Sequence, residues 1–227
     1  YRTTRWPDVA VVIGGAGRER AEAATRVAIE RCRPDVIVSA GFAGGVLPGF
    51  SVGDVVLCDE VWTSDGLVAG DMSIDIRHGV LDGLFDLGSM QRVGCLTVKD
   101  MAATSEDKRS LGDRFPVAVV DMESYWVAEI AARAGVQSVV VRCVLDPVDR
   151  TLPALVSDLI ESDGVARLLR SLVYVATKPR SIPDLLRLAR ETATAKKALA
   201  RTLESIASTP WPQAETAAAI GTEYARR

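Results

Sequence analysis

The chain has 227 residues, of which 48% are hydrophobic and 25% are charged, and its formal net charge is −3. This length and composition predict one domain with a full hydrophobic core. The slight acidity argues against a nucleic-acid-binding protein, which needs a basic surface. The sequence contains no apolar run of membrane-spanning length and no recognisable signal peptide.

The cysteines and the single histidine restrict the chemistry that this chain can support. Cys32, Cys58, Cys95 and Cys143 are scattered without CxxC spacing, which predicts reduced thiols and a cytoplasmic location. His78 is the one histidine, and a lone histidine is more often structural than catalytic. We therefore predict neither a metal site nor a bound cofactor.

The first elements are predicted from an apolar run, a glycine loop and an alanine-rich stretch. Val9–Ile13 favours a strand, and Arg18–Cys32 favours a helix. The GGAG loop between them predicts either a tight turn or an anion site at the helix N-terminus, formed by Gly15, Gly17 and Arg18. A dinucleotide-dependent oxidoreductase stays open as an alternative, although GAGRER lacks the third glycine of GxGxxG.

A glycine-rich stretch, SAGFAGGVLPGFSVGDVVL at residues 39–57, follows a predicted strand at Val36–Ser39. Its first glycines allow a ligand to approach the backbone closely, and its later Pro and Gly residues predict turns. A second strand is predicted at Val55–Cys58. The candidate ligand-binding residues of this stretch are Gly41, Phe42, Ala43 and Gly44.

The middle of the chain alternates between a polar segment and regular elements. Residues 59–87 are polar, acidic and interrupted by glycine, and their acids lack the spacing of a calcium loop. We therefore predict a solvated loop there. Gln91–Val98 predicts a strand, and the TSED sequence at residues 104–107 predicts the capped start of a helix that reaches Gly112.

Residues 116–146 predict a strand, a helix and a second strand. The strands are Val117–Val120 and Gln137–Leu145, and the helix is Tyr125–Ala134, with Gly135 as its C-terminal cap. Such a crossover normally leaves both strands parallel. Open α/β sheets bind ligands at the carboxyl ends of parallel strands, so the residues that follow these strands are candidates for a site.

Acidic residues follow both of these strands. Asp121 and Glu123 come after the first, and Asp146 comes after the second. Such acids can simply cap the next helix, or they can face a ligand. Pro147 holds Asp146 in an extended conformation, which suits a side chain presented from a strand end. We predict that Glu123 and Asp146 face one crevice.

Together with the glycine-rich stretch, the VVDMES and VVVRCVLDPVD segments resemble the purine nucleoside phosphorylase and nucleosidase family. The resemblance implies a three-layer α/β fold, with a twisted, mostly parallel central sheet and helices on both faces. It also implies cleavage of the N-ribosidic bond of a purine nucleoside, with adenine as the expected base. Met122 and Glu123 would hold the ribose, Asp146 would donate or share a proton with the purine N7, and Arg142 would support that aspartate.

The resemblance leaves open whether water or phosphate attacks the sugar. Ser39 stands where the phosphorolytic branch often has an arginine, and Phe42 stands where many relatives have a serine. These departures slightly favour water and leave phosphate as an alternative co-substrate. The glutamate that activates water in relatives precedes their second strand, to which Val9–Ile13 corresponds, so the activating base is unassigned. A non-catalytic nucleoside-binding module is therefore a second alternative.

The C-terminal part is predicted to be mostly helical. Ile182–Ser208 has apolar residues at helical spacing and a basic opposite side, and residues 166–176 predict another helix, with Leu172–Val175 as an alternative strand. Residues 209–227 are predicted to be a mobile tail, which leaves residues 1–208 as one domain.

The segments LDPVDRTLP and PRSIPDLLRLARETATAKKAL are similar to the hopanoid-associated phosphorylase subgroup. The similarity implies an adenosylated hopanoid as substrate. The basic helix is either a packed surface helix with solvated charges or a contact for an anionic membrane surface or a lipid-like substrate. Relatives bury part of their site at a subunit interface. The loop Trp62–Asp75, with Tyr125 and Trp126, offers aromatic material for one, so we predict a homodimer or a higher homo-oligomer.

Overall fold

A computed structural model describes residues 5–64, 72–75, 90–151 and 182–208 of the chain. These ranges contain both helices and strands, as an α/β fold requires. In chain order the elements are α1 (Arg18–Cys32), β1 (Val36–Gly45), β2 (Val55–Thr63), β3 (Met72–Asp75), β4 (Gln91–Thr97), α2 (Ser105–Arg114), β5 (Val119–Asp121), α3 (Ser124–Arg133), β6 (Gln137–Asp146) and α4 (Ile182–Ser208).

The strands form one mixed sheet in the order β3-β2-β4-β5-β1-β6, and β2 also pairs with β6. Five strands therefore close into a ring, and β3 lies outside it. The pairs β1–β6, β2–β4 and β4–β5 are parallel, whereas β1–β5, β2–β3 and β2–β6 are antiparallel. The predicted α/β class is confirmed, but the sheet is mixed and closed instead of open and mostly parallel.

A short connection explains why β2 runs in the direction opposite to β1, and hence antiparallel to β6. Residues 46–54 alone connect β1 to β2, whereas a parallel crossover needs about a dozen residues or more. The prediction that β5 and β6 run parallel is wrong. Strand β1 lies between them, antiparallel to β5 and parallel to β6. A strand–helix–strand pattern gives parallel strands only where both belong to the parallel part of one sheet.

Two strands are longer than the sequence predicts. Strand β1 continues through the glycines to Gly45, and β2 continues through the first acidic residues to Thr63. Within the predicted loop of residues 59–87, β3 pairs antiparallel with β2. Polar and glycine residues are typical of loops, but here their backbone groups find partners on the neighbouring strands, and this pairing decides the conformation.

The apolar run before the glycine loop is not a strand. Only Ala10 forms an isolated bridge, and Val11, Val12 and Ile13 are 44%, 41% and 78% exposed. The predicted strand Val9–Ile13 is therefore wrong. β-branched residues favour an extended backbone, but a strand also needs a neighbouring strand to pair with along its length. The helix that follows, α1, has the predicted boundaries.

The core places helices against both faces of β6. Val140 and Val144 pack in one cluster with Tyr125 and Trp126 of α3, and the alternate residues of β6 pack against α4. The prediction that β6 is buried on both faces is thus confirmed. Tyr125 and Trp126 are 1% and 3% exposed, so the prediction that they form a subunit interface is wrong.

The helix α4 follows its predicted periodicity. Ala195, Leu199, Leu203 and Ile206 face the sheet, and the basic side chains predicted for the other side are exposed. No helix within the described ranges is long and apolar enough to cross a bilayer. The predictions for residues 166–176, 172–175 and 209–227 lie outside the described residues, as does most of the predicted loop at 59–87.

Candidate functional site

A buried ion pair fixes the start of α3 and the residues before it. Asp121, the last residue of β5, accepts hydrogen bonds from Arg142 Nε at 2.6 Å and from Thr97 Oγ1 at 2.7 Å. Its Oδ2 also accepts one from the backbone N–H of Ser124 at 3.1 Å, and its Oδ1 accepts one from the N–H of Glu123 at 3.3 Å. Capping of the next helix is therefore the role of Asp121. Thr97 was missed by sequence reasoning, because a lone threonine at a strand end carries no pattern.

Arg142 occupies a different place from the one predicted. Besides Asp121, its guanidinium donates to Ser39 O at 2.9 Å and to Ser39 Oγ at 3.0 Å. The predicted pairing of Arg142 with Asp146 is wrong, because four strand residues separate their Cα atoms by roughly 13 Å. Burial would lower the pKa of Arg142, but the neighbouring Asp121 carboxylate keeps it above its ordinary value.

Glu123 lies against the glycine loop before α1. Its Oε1 accepts a hydrogen bond of 2.7 Å from the backbone N–H of Gly17, which is the N-cap of α1. The predicted anion site at Gly15, Gly17 and Arg18 thus holds a carboxylate of the protein itself. The pKa of Glu123 is raised, first because burial removes its carboxylate from water and then because the negative charge of Asp121 lies nearby.

Two further residues complete this side of the site. Met122 is half-buried beside Glu123. The Arg18 guanidinium lies 3.9 Å from the ring centroid of Trp126, and its Nε donates to Glu22 Oε1 at 2.8 Å. The start of α1 packs against the start of α3, and this contact brings Gly17 and Arg18 close to Met122 and Glu123.

Asp146 ends β6 and is only 5% exposed. Its Oδ2 forms an ion pair with Lys108 Nζ, and its Oδ1 is buried without a hydrogen-bond partner among the described residues. Burial raises the pKa of this carboxyl, and the Lys108 ammonium opposes that shift. A buried carboxyl oxygen without a partner costs stability, and it marks a position where a polar atom of a ligand can bind.

The predicted ligand-binding glycines lie directly beside Asp146. Strand β1 pairs Gly41 with Arg142 and Gly44 with Asp146, and the register shifts between Ala43 and Gly44. Gly44 also lies opposite β5, where a Cβ would come within 3.2 Å of a methyl carbon of Val120. Glycine fits there without displacing Val120, because β1 approaches both neighbours closely. The stretch Gly41–Gly44 is thus strand and not loop, with Phe42 beside Cys143.

Lys108 is the functional candidate that sequence reasoning missed. It lies on α2 among charged residues (SEDKRS), which reads as a solvated face, yet its side chain is completely buried. No sequence signal distinguishes it from Arg109, its exposed neighbour. Only the packing of α2 against the turn after β6 identifies it.

A cleft of about 530 Å³ lies beside α2. Its lining residues come from the end of β2, the loop after β4 and helix α2. They are Ser64, Val98, Lys99, Asp100, Met101, Ala102, Asp107, Ser110 and Leu111. Neither Glu123 nor Asp146 lines it. Among the residues described, no three His, Cys, Asp or Glu side chains group closely enough to hold a metal ion.

The chain matches the phosphorylase superfamily over residues 2–84 and 89–171, which is more than half of its length. It belongs to that superfamily. The prediction of the nucleoside phosphorylase and nucleosidase family is therefore confirmed.

Individual relatives are nucleosidases. Over 156 residues the chain is 31% identical to the 5′-methylthioadenosine/S-adenosylhomocysteine nucleosidase of Haemophilus influenzae (strain PittGG), covering 61% of this chain and 68% of that one. The corresponding nucleosidase of Shewanella halifaxensis (strain HAW-EB4) is 26% identical over 175 residues, covering 69% and 76%. The Helicobacter pylori nucleosidase structure shares the fold, with a TM-score of 0.58 and 16% identity over 85% of this chain and 78% of that one.

Proposed function

We propose that this enzyme cleaves the N-ribosidic bond of a purine nucleoside and releases adenine. The predicted class of reaction, cleavage of an N-glycosyl bond, is confirmed by the superfamily and by the nucleosidases to which the chain is similar. The observation that carries the assignment to this site is Asp146, a buried strand-end carboxyl whose Oδ1 has no described partner.

Asp146 is assigned to the leaving base. The glycosidic bond breaks through an oxocarbenium-like cation, and the base must be neutralised as it takes the electron pair of the bond. A carboxyl with a raised pKa can donate a proton to the purine N7 at that moment. The backbone of Gly44 lies beside this carboxyl on β1, so the nucleoside would be bound against Gly41, Phe42, Ala43 and Gly44.

Glu123 and Met122 are assigned to the ribose. A carboxylate that accepts the sugar hydroxyls also stabilises the positive charge that develops on the ring. The Gly17 N–H holds Glu123 from one side, and Asp121 holds its backbone N–H from the other. Because Arg142 binds Asp121, we assign Arg142 to the sugar side of the site, where it acts through Asp121 and Ser39.

Water is the favoured nucleophile. A phosphate carries about two negative charges and needs fixed donors, and a guanidinium is the best of them. The Gly17 N–H already binds Glu123, the Arg18 guanidinium contacts Glu22 and Trp126, and Ser39 contacts Arg142. These contacts disfavour a ready phosphate site near α1. Phosphate is kept as the alternative co-substrate.

The same contact at Gly17 bears on the alternative of an oxidoreductase. A dinucleotide places its pyrophosphate at the N-terminus of the helix after the glycine loop. In this chain that position faces the Glu123 carboxylate, and two anions repel each other at such a distance. A non-catalytic binding module is separated from an enzyme only by measuring turnover.

The test is adenine release, followed by chromatography, in phosphate-free buffer with methylthioadenosine and adenosine, and then with increasing phosphate. Release without phosphate supports a nucleosidase. Strict dependence on phosphate, with a ribose-1-phosphate-type product, overturns the choice of water. Binding of a nucleoside without turnover supports the binding module, and tight binding of NADH alone supports the oxidoreductase.

Finer features of the proposed function concern substrate and location. The similarity of the C-terminal part to the hopanoid-associated subgroup supports an adenosylated hopanoid as substrate. The exposed side of α4 supports contact with an anionic surface through Arg190, Lys197 and Arg201, which lie along one stripe. All four cysteines are free and three are buried, which supports the proposed cytoplasmic location.

A further inference from the structure

Lys108 has an unusual environment for a lysine, because its side chain is completely buried. Lysine is almost never fully buried unless it is paired. Its Nζ pairs with Asp146 Oδ2 and donates to Pro147 O at 3.1 Å and to Arg150 O at 2.7 Å. An ammonium has three hydrogens, and each has one of these acceptors.

These contacts give the two oxygens of Asp146 different roles. Oδ2 is held by Lys108, and Lys108 is held by the turn that follows Asp146, so the carboxylate cannot rotate without breaking the ion pair. Oδ1 is left without a described partner. A structural ion pair alone would be expected to satisfy both oxygens, because an unmade hydrogen bond in the interior costs stability.

We propose that Lys108 is a positioning residue for Asp146, holding its Oδ2 so that its Oδ1 meets the leaving purine base. This role rests on the proposed function. As the bond from C1′ to N9 breaks, its electron pair passes to the base, and the proton of Asp146 passes to N7. Water then binds C1′ and loses a proton to solvent, or phosphate binds C1′ through one of its oxygens, and Asp146 regains its proton from solvent. The carboxylate that is left by proton transfer is stabilised by the Lys108 ammonium.

The surrounding charges determine what removal of Lys108 does to the proton. Burial raises the pKa of Asp146, while Lys108 and then Arg150 lower it, and Glu191 on α4 raises it. Replacing Lys108 by methionine removes a lowering influence, so the pKa of Asp146 rises further. Asp146 then stays protonated to a higher pH. In a plot of activity against pH, the fall in activity at the alkaline side therefore begins at a higher pH.

The experiment compares Lys108→Met with Arg109→Met, which removes an exposed charge from the next position of the same helix. We expect kcat of Lys108→Met to fall by about 10- to 100-fold, as for other outer partners of functional side chains, and its falling pH limb to move to higher pH. Arg109→Met should match the wild type in both. An unchanged limb in a folded Lys108→Met enzyme overturns the proposal.

A double variant covers the case in which Lys108→Met alone does not fold. Lys108→Met with Asp146→Asn removes both charges of the buried pair, which avoids an uncompensated charge. If Lys108 acts through Asp146, the double variant should be no slower than Asp146→Asn alone. Losses that multiply would overturn the proposal.

A readout without turnover separates this inference from the proposed function. The carboxyl pKa of Asp146, measured by carbon NMR in the folded wild type and in Lys108→Met, should be higher in the variant. Equal values overturn the role of Lys108 whatever the activity. A higher value in Lys108→Met, with no adenine released by the wild type, overturns the proposed function and retains the coupling of Lys108 to Asp146.

Discussion

At the scale of single residues, the carboxyls of Glu123, shortly after β5, and Asp146, at the end of β6, lie in different surroundings. This difference suits them to different parts of the reaction. Glu123 is half-buried and accepts an N–H from a glycine loop. Asp146 is almost fully buried and is paired with a lysine on one oxygen only. Environments that differ in this way commonly divide electrostatic stabilisation and proton transfer between two acids.

Asp146→Asn should keep the fold and lose about 10²- to 10⁴-fold in rate, the usual contribution of a general acid. The amide has nearly the same shape but cannot donate the carboxyl proton to N7. The measurement is kcat for adenine release, with thermal unfolding as a check of folding. Asp149→Asn, an exposed change three residues further along, is the control and should retain activity. Near-wild-type turnover by Asp146→Asn would contradict the assignment of Asp146 as the general acid.

Glu123→Gln should affect ribosides more than 2′-deoxyribosides. If the carboxylate accepts the ribose hydroxyls, a substrate without the 2′-hydroxyl has less to lose from the change. The ratio of kcat/KM for the two substrates in wild type and variant measures this contact. Glu19→Gln, an exposed change on α1, is the matched control. Equal losses for ribo- and deoxyribo-substrates would contradict the hydroxyl contact.

At the scale of elements, the sequence predicted which segments are regular but not how they pair. Helices α1 and α4 have the predicted boundaries, because alanine content and apolar periodicity are local signals. The closure of β2 on β6 depends on connection lengths and on distant partners, which a local pattern does not contain. For the same reason, residues 9–13 look like a strand and are not one.

The residues of the site show the same contrast between local signals and contacts of distant segments. Glu123 and Asp146 are proposed from a local signal, because each follows or ends a strand within a family-like motif. The partner of Arg142 was mispredicted, because the choice between Asp121 and Asp146 depends on which strand lies across from β6. Lys108 was not predictable, since its burial arises from contact with residues far away in the chain.

The ion pair between Arg142 and Asp121 anchors the start of α3, so breaking it should destabilise the fold. Arg142→Met leaves a buried carboxylate without its partner and should lower the free energy of unfolding by about 3–5 kcal/mol. Urea denaturation measures this loss. Arg133→Met removes an ion pair with Glu129 whose arginine side chain is 72% exposed, so it should cost no more than about 1 kcal/mol. Similar losses for both variants would show that the buried pair does not anchor α3.

At the scale of the whole molecule, an exposed apolar segment precedes the glycine loop that contacts Glu123. Val11, Val12 and Ile13 precede the glycine loop whose Gly17 holds Glu123, and all three are exposed. Contiguous exposed apolar residues commonly mark an interface, and soluble homo-oligomers are most often twofold dimers. A second subunit at this segment would lie beside the proposed ribose site.

We therefore predict a homodimer that buries residues 11–13. Light scattering at micromolar concentration should give twice the mass of the chain. Ile13→Asp, which places a charge on the most exposed of the three residues, should shift the mass towards the monomer because burying an unpaired charge is costly. Leu186→Asp changes an exposed leucine on α4 and is the control that should stay dimeric. A monomeric wild type would contradict the dimer, and a dimeric Ile13→Asp variant would place the interface elsewhere.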